Sequence, residues 1–524
     1  MSDELHHECG IAAVCLLDKP AGPEGSASKA VTNGDVAGLM PAMLLDLQNR
    51  GQLAAGISSY QPGRSQLLAT YKDVGTVAEA FRMAHPAKHR AILEEYAGKA
   101  AIGHTRYATC GSEDDTRYAQ PFERHHGRLW KWFSFAFNGN LANYTQLRDR
   151  LARSRDYHFS LNTDTEILMH ALAYRLRGDR PAGLRAVMSS LARGFDGAYN
   201  IAFLDAAGRM FVARDPLGFR PLSWAVQGRL FAAASESVAL ANMGFTEIQS
   251  LAPGEMAIIE KGRLHFERFA KPRQHAYCFF EWIYFSNVAS IMDGTSVYLA
   301  RARSGERLAE IEDQRMDESC IVVPVPDTAK AAADAFAFKM GVPSVEGLIR
   351  NRYVGRTFIQ PTSLRGWSAK GKYTPLPSVL TGKRVFLIED SIVRATTLRA
   401  LLGQLRHRGG AKEIHVRVAC PPIVAPCFYG IDMSTLGELF APSFVPPHYD
   451  GAPDQATLAR MAKALGADSL RYLTVEDLSR CIQTPRGELC LGCVTGRYPT
   501  IWGNRLMSRA RRNLAAGKTG RTYE

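Results

Sequence analysis

Three stretches of the 524-residue chain carry side chains whose types and spacing could do chemistry. In FLIEDSIVRATT, residues 386–397, an apolar run ends on Glu389 and Asp390, and a short loop of Arg394, Ala395, Thr396 and Thr397 leads into a helical pattern. Acids at the carboxyl end of a buried strand can face ribose hydroxyls and a magnesium ion. Backbone N–H groups, threonine hydroxyls and the dipole of a helix start converge on a phosphate. The competing reading is a pair of acids that only solvate a strand end. In CLGC, Cys490 and Cys493 stand at a metal-ligand spacing that needs two more thiolates. In HHECGIAAV, residues 6–14, Cys9 sits beside a glycine close to the start of the chain, either as a small core residue at a strand start or as a nucleophile.

The elements that must position these groups change character along the chain. From about residue 9 to 270 the pattern is of short apolar or alternating strands with turn signals. GAYNIAFLDAAGRMFVARD and GEMAIIEKGRLHFERF both read as β-hairpins. Between them, NTDTEILMHALAYRLR opens on an Asn/Thr/Asp cluster suited to an N-cap and sets Ile167, Leu168, His170, Leu172 and Leu176 in helical rhythm. DKPAGPEGSASKAVTNGD, residues 18–35, reads as a mobile insertion. From about residue 315, strands and helices alternate. CIVVPVPD is a buried strand ending in an acid, and AKAAADAFAFKM followed by Gly341 is its helix and stop. RVFLIED repeats the plan before Leu398, Leu401, Leu402 and Leu405 at i, i+3, i+4 and i+7. This is a parallel α/β sheet, whose ligands sit at the carboxyl ends of its strands.

Size and composition set the frame. A chain of this length with 46% hydrophobic residues divides into two domains of roughly 200 to 250 residues. MSDELHHE has no apolar core for a signal peptide, and no window reaches about 18 uninterrupted apolar residues, so the expectation is a cytoplasmic protein with no membrane partner. The formal net charge of +13 owes much to the tail NRLMSRARRNLAAGKTGRTYE, residues 504–524, which reads as disordered and solvated; no nucleic-acid-binding signature accompanies it. Ten cysteines in such a chain point to core, catalytic or metal-ligand roles rather than to disulfides.

The FLIEDSIVRATT stretch matches the phosphoribosyl pyrophosphate (PRPP) motif of type I phosphoribosyltransferases. Together with GLIRNRYVGRTFIQPT, VPVPD, CFFEWIYF, GHTRYAT, FNGNL and ARDPLGFRPL, the chain resembles the glutamine PRPP amidotransferases from residue 9 to about 500. The resemblance implies an α+β N-terminal Ntn-hydrolase domain of αββα layering, a class II glutaminase, followed by an α/β type I phosphoribosyltransferase domain with a parallel sheet. The implied divisions are a propeptide 1–8, the glutaminase 9–270, the transferase 271–475, an iron-sulfur-ligating segment 476–503 and the basic tail 504–524.

By the same resemblance, removal of MSDELHHE makes Cys9 the N-terminal nucleophile. A free α-amino group, with a pKa of about 7.7 to 8.0, can then take its proton. Arg106 pairs with the glutamine α-carboxylate, Asp164 holds its α-ammonium, and Asn138 with the Gly139 N–H forms the oxyanion hole. Glu389 and Asp390 take the ribose hydroxyls and magnesium, Arg394, Ala395, Thr396 and Thr397 surround the 5-phosphate, and Pro326, Asp327 and Thr328 resemble the pyrophosphate loop, with Thr328 beside the magnesium. Residues 350–361 resemble a loop that folds over PRPP and helps seal an ammonia channel. Five residues depart from the family pattern: Leu53 for an acid, Thr328 and Ala329 for Ser-Gly, Glu389 for aspartate and Ala395 for glycine. Ala329 is expected to strain a loop that needs positive φ.

Cys278 and Cys427 occupy the positions that complete, with Cys490 and Cys493, a 4Fe-4S cluster in one branch of the family. Zinc is the competing metal and Cys420 the competing ligand. Cys15, Cys110, Cys320 and Cys481 are expected to be buried core thiols. The implied enzyme makes 5-phosphoribosylamine, glutamate and pyrophosphate from PRPP, glutamine and water, the first committed step of purine synthesis. Purine nucleotides are the implied feedback inhibitors, and a homo-oligomer, dimer or tetramer, the implied assembly. The alternative is a PRPP- or nucleotide-binding paralogue without turnover, resting on the five departures.

Overall fold

Strand Gly10–Leu16 alternates between two cores: Ala12 and Val14 face one, while Ile11, Ala13 and Cys15 face the other. That two-residue period places it between layers. It is the centre of a seven-stranded antiparallel sheet in the order Gln249–Ser250, Ser223–Gln227, Leu230–Ala234, Gly10–Leu16, Ala100–Arg106, Ala54–Tyr60 and Leu68–Val74. A six-stranded sheet lies against it, ordered Arg263–Arg268, Glu255–Glu260, Met210–Arg214, Gly197–Asp205, Phe133–Leu141 and Phe122–Arg124. Strand Gly197–Asp205 sends Ala202 and Leu204 into the space between the sheets, and Tyr199, Ile201 and Phe203 toward helices Asp164–Arg175 and Leu184–Ala192. Helices Met40–Asp46 and Ser237–Asn242 cover the opposite outer face. The result is the expected αββα sandwich, and both expected hairpins are present.

The computed structural model describes residues 9–26, 31, 34–107, 115–153, 157–161, 163–271, 274–350, 373–431, 433, 435–446, 449 and 452–518. The propeptide 1–8, Cys110 and the closing loop beyond Arg350 lie outside them.

The later half is built on four parallel strands in the order Cys320–Pro324, Arg384–Glu389, Glu413–Val418 and Ser469–Tyr472. Along the second of these, Val385 and Leu387 pack with Leu398, Leu401, Leu402 and Leu405 of helix Thr396–His407, while Phe386 and Ile388 pack with Phe336 of helix Lys330–Met340. Both faces are covered, hence the continuous apolar run. Gly341 ends the second helix in the left-handed conformation (φ +69°).

One expectation fails. Residues 504–515 of the supposed tail belong to helix Ile501–Ala515, capped where the Gly503 N–H donates to Thr500 Oγ1 at 3.1 Å. Gly503, Leu506, Met507 and Ala510 are its buried stripe, at i, i+3, i+4 and i+7, which the intervening arginines obscure in the sequence. Residues 519–524 lie outside the description. Of the 18–35 segment, residues 27–30 and 32–33 lie outside the described residues; at its start Ala21 N donates to Gly228 O at 2.9 Å, Gly228 N to Pro23 O at 2.8 Å, and Ser26 Oγ to Gly244 O at 3.0 Å.

Candidate active sites

Cys9 immediately precedes the central strand, with Sγ 3.6 Å from Tyr107 O, and is partly exposed, whereas Cys15, Cys320 and Cys481 are buried. Gly10 pairs with Thr105 in antiparallel register, so the next step along the ladder sets Cys9 against Arg106. Arg106 is itself buried and lies over the Tyr118 ring, 5.4 Å from its centroid. The RGQL loop supports it from behind. Leu53 N donates to Arg106 O at 3.1 Å, and Gly51 packs so tightly there that a Cβ would fall 2.6 Å from the Arg106 carbonyl carbon. Because the backbone of Leu53 makes that contact, its departure from an acid leaves the support intact. His104, two residues earlier, is fully buried, and burial pushes its imidazole down to about 3. It is a neutral strand residue rather than a base.

Asn138 and Gly139 lie in strand Phe133–Leu141 of the second sheet. Asn138 Nδ2 donates to Ser235 Oγ at 3.4 Å, and the same oxygen accepts from Ile11 N at 2.9 Å. One serine therefore ties the Asn138 strand to the strand that follows Cys9; nothing in AAASES marks it in the sequence. Gly139 has φ +149°, and a Cβ on it would lie 2.1 Å from Ala198 O, so no other residue fits without moving the sheet. Two residues on, Leu141 N donates to Asp164 Oδ2 at 3.3 Å. Asp164 opens helix Asp164–Arg175 behind its Thr163 cap, and burial raises its carboxyl to about 6 even though backbone N–H groups oppose the shift. A buried carboxylate that is costly when alone suits a ligand that brings an ammonium.

The carboxyl ends of the first two parallel strands are level, with Pro324 opposite Ile388. The loops after them meet at Asp390, which is buried and accepts from Thr328 Oγ1 through Oδ2 and from Ser391 Oγ through Oδ1 at 2.6 Å. Asp390 N donates to Glu389 Oε1 at 3.1 Å. Thr328 and the acid pair, 62 residues apart, thus form one oxygen-rich corner. The Pro326–Asp327 peptide is cis. Tyr373 OH donates to Pro326 O at 3.2 Å, and Arg350 pairs with Asp327 at 2.6 Å, both from the ribbon Leu348–Arg350 with Tyr373–Pro375.

The strain expected at Ala329 is not there. Its φ is −79°, ordinary right-handed backbone ahead of the helix. Ala395 carries it instead, buried with φ +67° directly before helix Thr396–His407. That conformation is unfavourable for any residue with a Cβ. Arg394 reaches toward Glu438, 3.8 Å away, and Thr396 and Thr397 open the helix. Arg301, which no motif marked, is buried beneath this corner. It donates to Trp282 O, Tyr284 O and Ser286 O, and burial lowers it to about 10 against the opposing charge of Asp390.

Cys278, Cys427, Cys490 and Cys493 line one small enclosed cavity with Phe219, Arg220, Tyr429, Ile431 and Tyr498. Strands Tyr277–Cys278 and Leu489–Cys490 pair in parallel, setting Cys278 directly beside Cys490. Cys420 does not line the cavity; its Sγ faces Pro421 O at 3.2 Å. Burial pushes the Cys490 thiol up to about 12. Among the described residues no group of three or more His, Cys, Asp or Glu closes around a single metal ion. Four thiols around one cavity are the donor set of a thiolate-bound metal or cluster.

An αββα sandwich with Cys9 at the start of its central strand, beside an arginine and an Asn-Gly strand, joined to a parallel sheet with an acid pair at its carboxyl edge, defines a glutamine amidotransferase fused to a phosphoribosyl-binding domain. The glutamine amidotransferase domain family profile matches residues 74–252. The chain is 36% identical over 500 residues to the amidophosphoribosyltransferase of Methanothermobacter thermautotrophicus, covering 95% of each protein. It is 37% identical over 465 residues to that of Bacillus subtilis, covering 87% of this chain and 90% of the relative. A solved structure of the glutamine PRPP amidotransferase from B. subtilis complexed with ADP and GMP aligns with a TM-score of 0.77 and 34% identity, over 94% of this chain and 97% of that one. The chain belongs to the amidophosphoribosyltransferase family and is a glutamine-dependent glycosyltransferase.

Proposed function

We propose that this chain makes 5-phosphoribosylamine through Cys9 and the Asp390 corner, in the first committed step of purine synthesis. The observation that supports this assignment best is the register that sets Cys9 against Arg106, with Asn138 tied through Ser235 to the same strand. Once residues 1–8 are removed, the α-amino group of Cys9 takes the thiol proton. Sγ attacks the glutamine side-chain carbonyl, the Asn138 amide and Gly139 N–H receive the developing oxyanion, and ammonia leaves. Water then cleaves the thioester to glutamate. Arg106 and Asp164 orient the substrate's α-carboxylate and α-ammonium. In the second half-site, ammonia attacks the anomeric carbon of PRPP and pyrophosphate departs. Glu389 and Asp390 orient the ribose hydroxyls, while Arg394 and the N–H groups of Ala395, Thr396 and Thr397 hold the 5-phosphate.

The oxygens of Thr328, Glu389 and Asp390 suit magnesium, which when bound neutralises charge on the diphosphate leaving group. The four cavity cysteines suit a 4Fe-4S cluster, which when bound ties the 278 and 490 strands to the Cys427 segment. Purine nucleotides as feedback ligands, a homo-oligomer, a cytoplasmic location and the divisions at residues 270, 475 and 503 belong to the same proposal. The ADP and GMP bound to the B. subtilis relative support the nucleotide reading, and no helix among the described residues is long and apolar enough to cross a membrane.

The test is glutamate release by anaerobically purified protein, with and without PRPP and magnesium, beside Cys9→Ala. PRPP-stimulated release that vanishes in the variant is expected. No release from protein that has lost residues 1–8 and holds its metal would favour a non-catalytic paralogue.

A further inference from the structure

We propose that Asn140 is a positioning residue through which the transferase half holds the glutaminase oxyanion hole in shape. The inference rests on the assignment of Asn138 and Gly139 to that hole. Strand Phe133–Leu141 ends in its own domain's core at Leu141, but Asn140 just before it reaches the other half of the chain. Asn140 Nδ2 donates to Phe428 O at 3.0 Å, across 288 residues of sequence. Two residues later, Gly430 lies against the Gly139 peptide. A Cβ on Gly430 would sit 3.2 Å from the Gly139 carbonyl carbon and 3.3 Å from its oxygen, at a backbone φ of +108°. Gly139 is therefore pressed between Ala198 of its own sheet and Gly430 of the other half.

The segment that does the pressing is itself rigid. Phe428 and Tyr429 are buried, and the Tyr429 ring stacks on Phe219 with centroids 4.2 Å apart. Tyr429 O accepts from Arg220 Nη2 at 2.6 Å, and Tyr429 OH meets Thr500 Oγ1 at 2.9 Å. Arg220 continues to Glu281 at 3.5 Å, and Glu281 pairs with Arg50, the first residue of the loop that supports Arg106. The Asn140 and Thr500 bonds are part-buried and those of Arg220, Glu281 and Arg50 are buried; bonds fixed at both ends in this way transmit position rather than absorb it. An N–H donor in an oxyanion hole stabilises the transition state only while it points to where the charge develops. The Asn140 amide, outside the hole, sets that direction.

The experiment compares wild type with Asn140→Asp, which keeps the shape but faces the Phe428 carbonyl with an acceptor, and Asn140→Ala, which removes the donor. Glutamine hydrolysis is measured with PRPP present, and transferase activity is measured separately with ammonium chloride in place of glutamine. We expect kcat for glutamine hydrolysis to fall about tenfold in Asn140→Asp and about threefold in Asn140→Ala. KM for glutamine, set by Arg106 and Asp164, and ammonia-dependent transfer should stay within about twofold. Equal losses in both activities would mark a merely structural residue and overturn the proposal. So would a rise in KM with kcat unchanged, or no change at all. A wild-type protein inactive with both nitrogen donors would instead refute the assigned reaction, and this inference with it.

Discussion

The two half-sites are built in opposite ways. The glutaminase places Cys9, Arg106, Asn138 and Gly139 on or beside strands inside a sandwich, where register decides their spacing and neighbouring backbone decides their size. The transferase places Thr328, Asp390 and the 394–397 loop beyond the ends of parallel strands, where only loops must agree. Four of the five departures from the family pattern, Thr328, Ala329, Glu389 and Ala395, fall on the loop-built side. The fifth, Leu53, acts through its backbone. Strand interiors leave no room for variation, whereas loops at a sheet edge absorb it.

Substitutions can break or sharpen this contrast. The largest effect is expected from Cys9→Ala, which should lower glutamine hydrolysis by on the order of 10³-fold or more while ammonia-dependent transfer persists. Loss of both would show that the halves are not separable. Gly139→Ala, with its Cβ driven into Ala198 O, should cost about 3 kcal/mol by denaturant unfolding and remove glutaminase activity. An unfolding midpoint equal to wild type would refute the rigidity assigned to the strand. Asp390→Asn should reduce ammonia-dependent transfer by about 10²-fold and leave PRPP-independent glutamine hydrolysis within about twofold.

A pH titration reads the buried carboxyl. Asp164 titrates near 6, so below that pH it is neutral and no longer attracts the glutamine α-ammonium. The ratio kcat/KM for glutamine should fall about tenfold per unit below pH 6, and Asp164→Asn should be low with this limb absent. An unchanged acid limb in that variant would assign the titration elsewhere. The smallest effect belongs to Ala395→Gly. Relief of a left-handed alanine, about 1 to 2 kcal/mol, is partly offset by the flexibility of glycine in the unfolded chain, leaving a gain of about 0.5 kcal/mol. A loss of stability in thermal unfolding would show that the loop is not strained.

Much of this was legible because its signals are local. Leu398, Leu401, Leu402 and Leu405 declared their helix by period, and the apolar run 385–388 declared a strand covered on both faces. Motif order along the chain declared the family. Backbone conformation was less legible. Ala329 and Ala395 both stand for glycine in the family pattern, yet one lies at φ −79° and the other at +67°, because the course of each loop depends on the strands and helix it joins.

By itself, then, the amino-acid order determined element types, the pairing of a glutaminase with a phosphoribosyl-binding sheet, and the residues eligible for chemistry. Periodicity and short motifs are properties of neighbours in sequence. Only the tertiary structure decided that Ser235 would join Asn138 to the strand after Cys9, and that an arginine-rich end would bury Leu506, Met507 and Ala510. It also decided that Phe428 would brace a strand 288 residues away. Those contacts depend on where whole layers meet, and burial across such distances is set by packing that no local window contains.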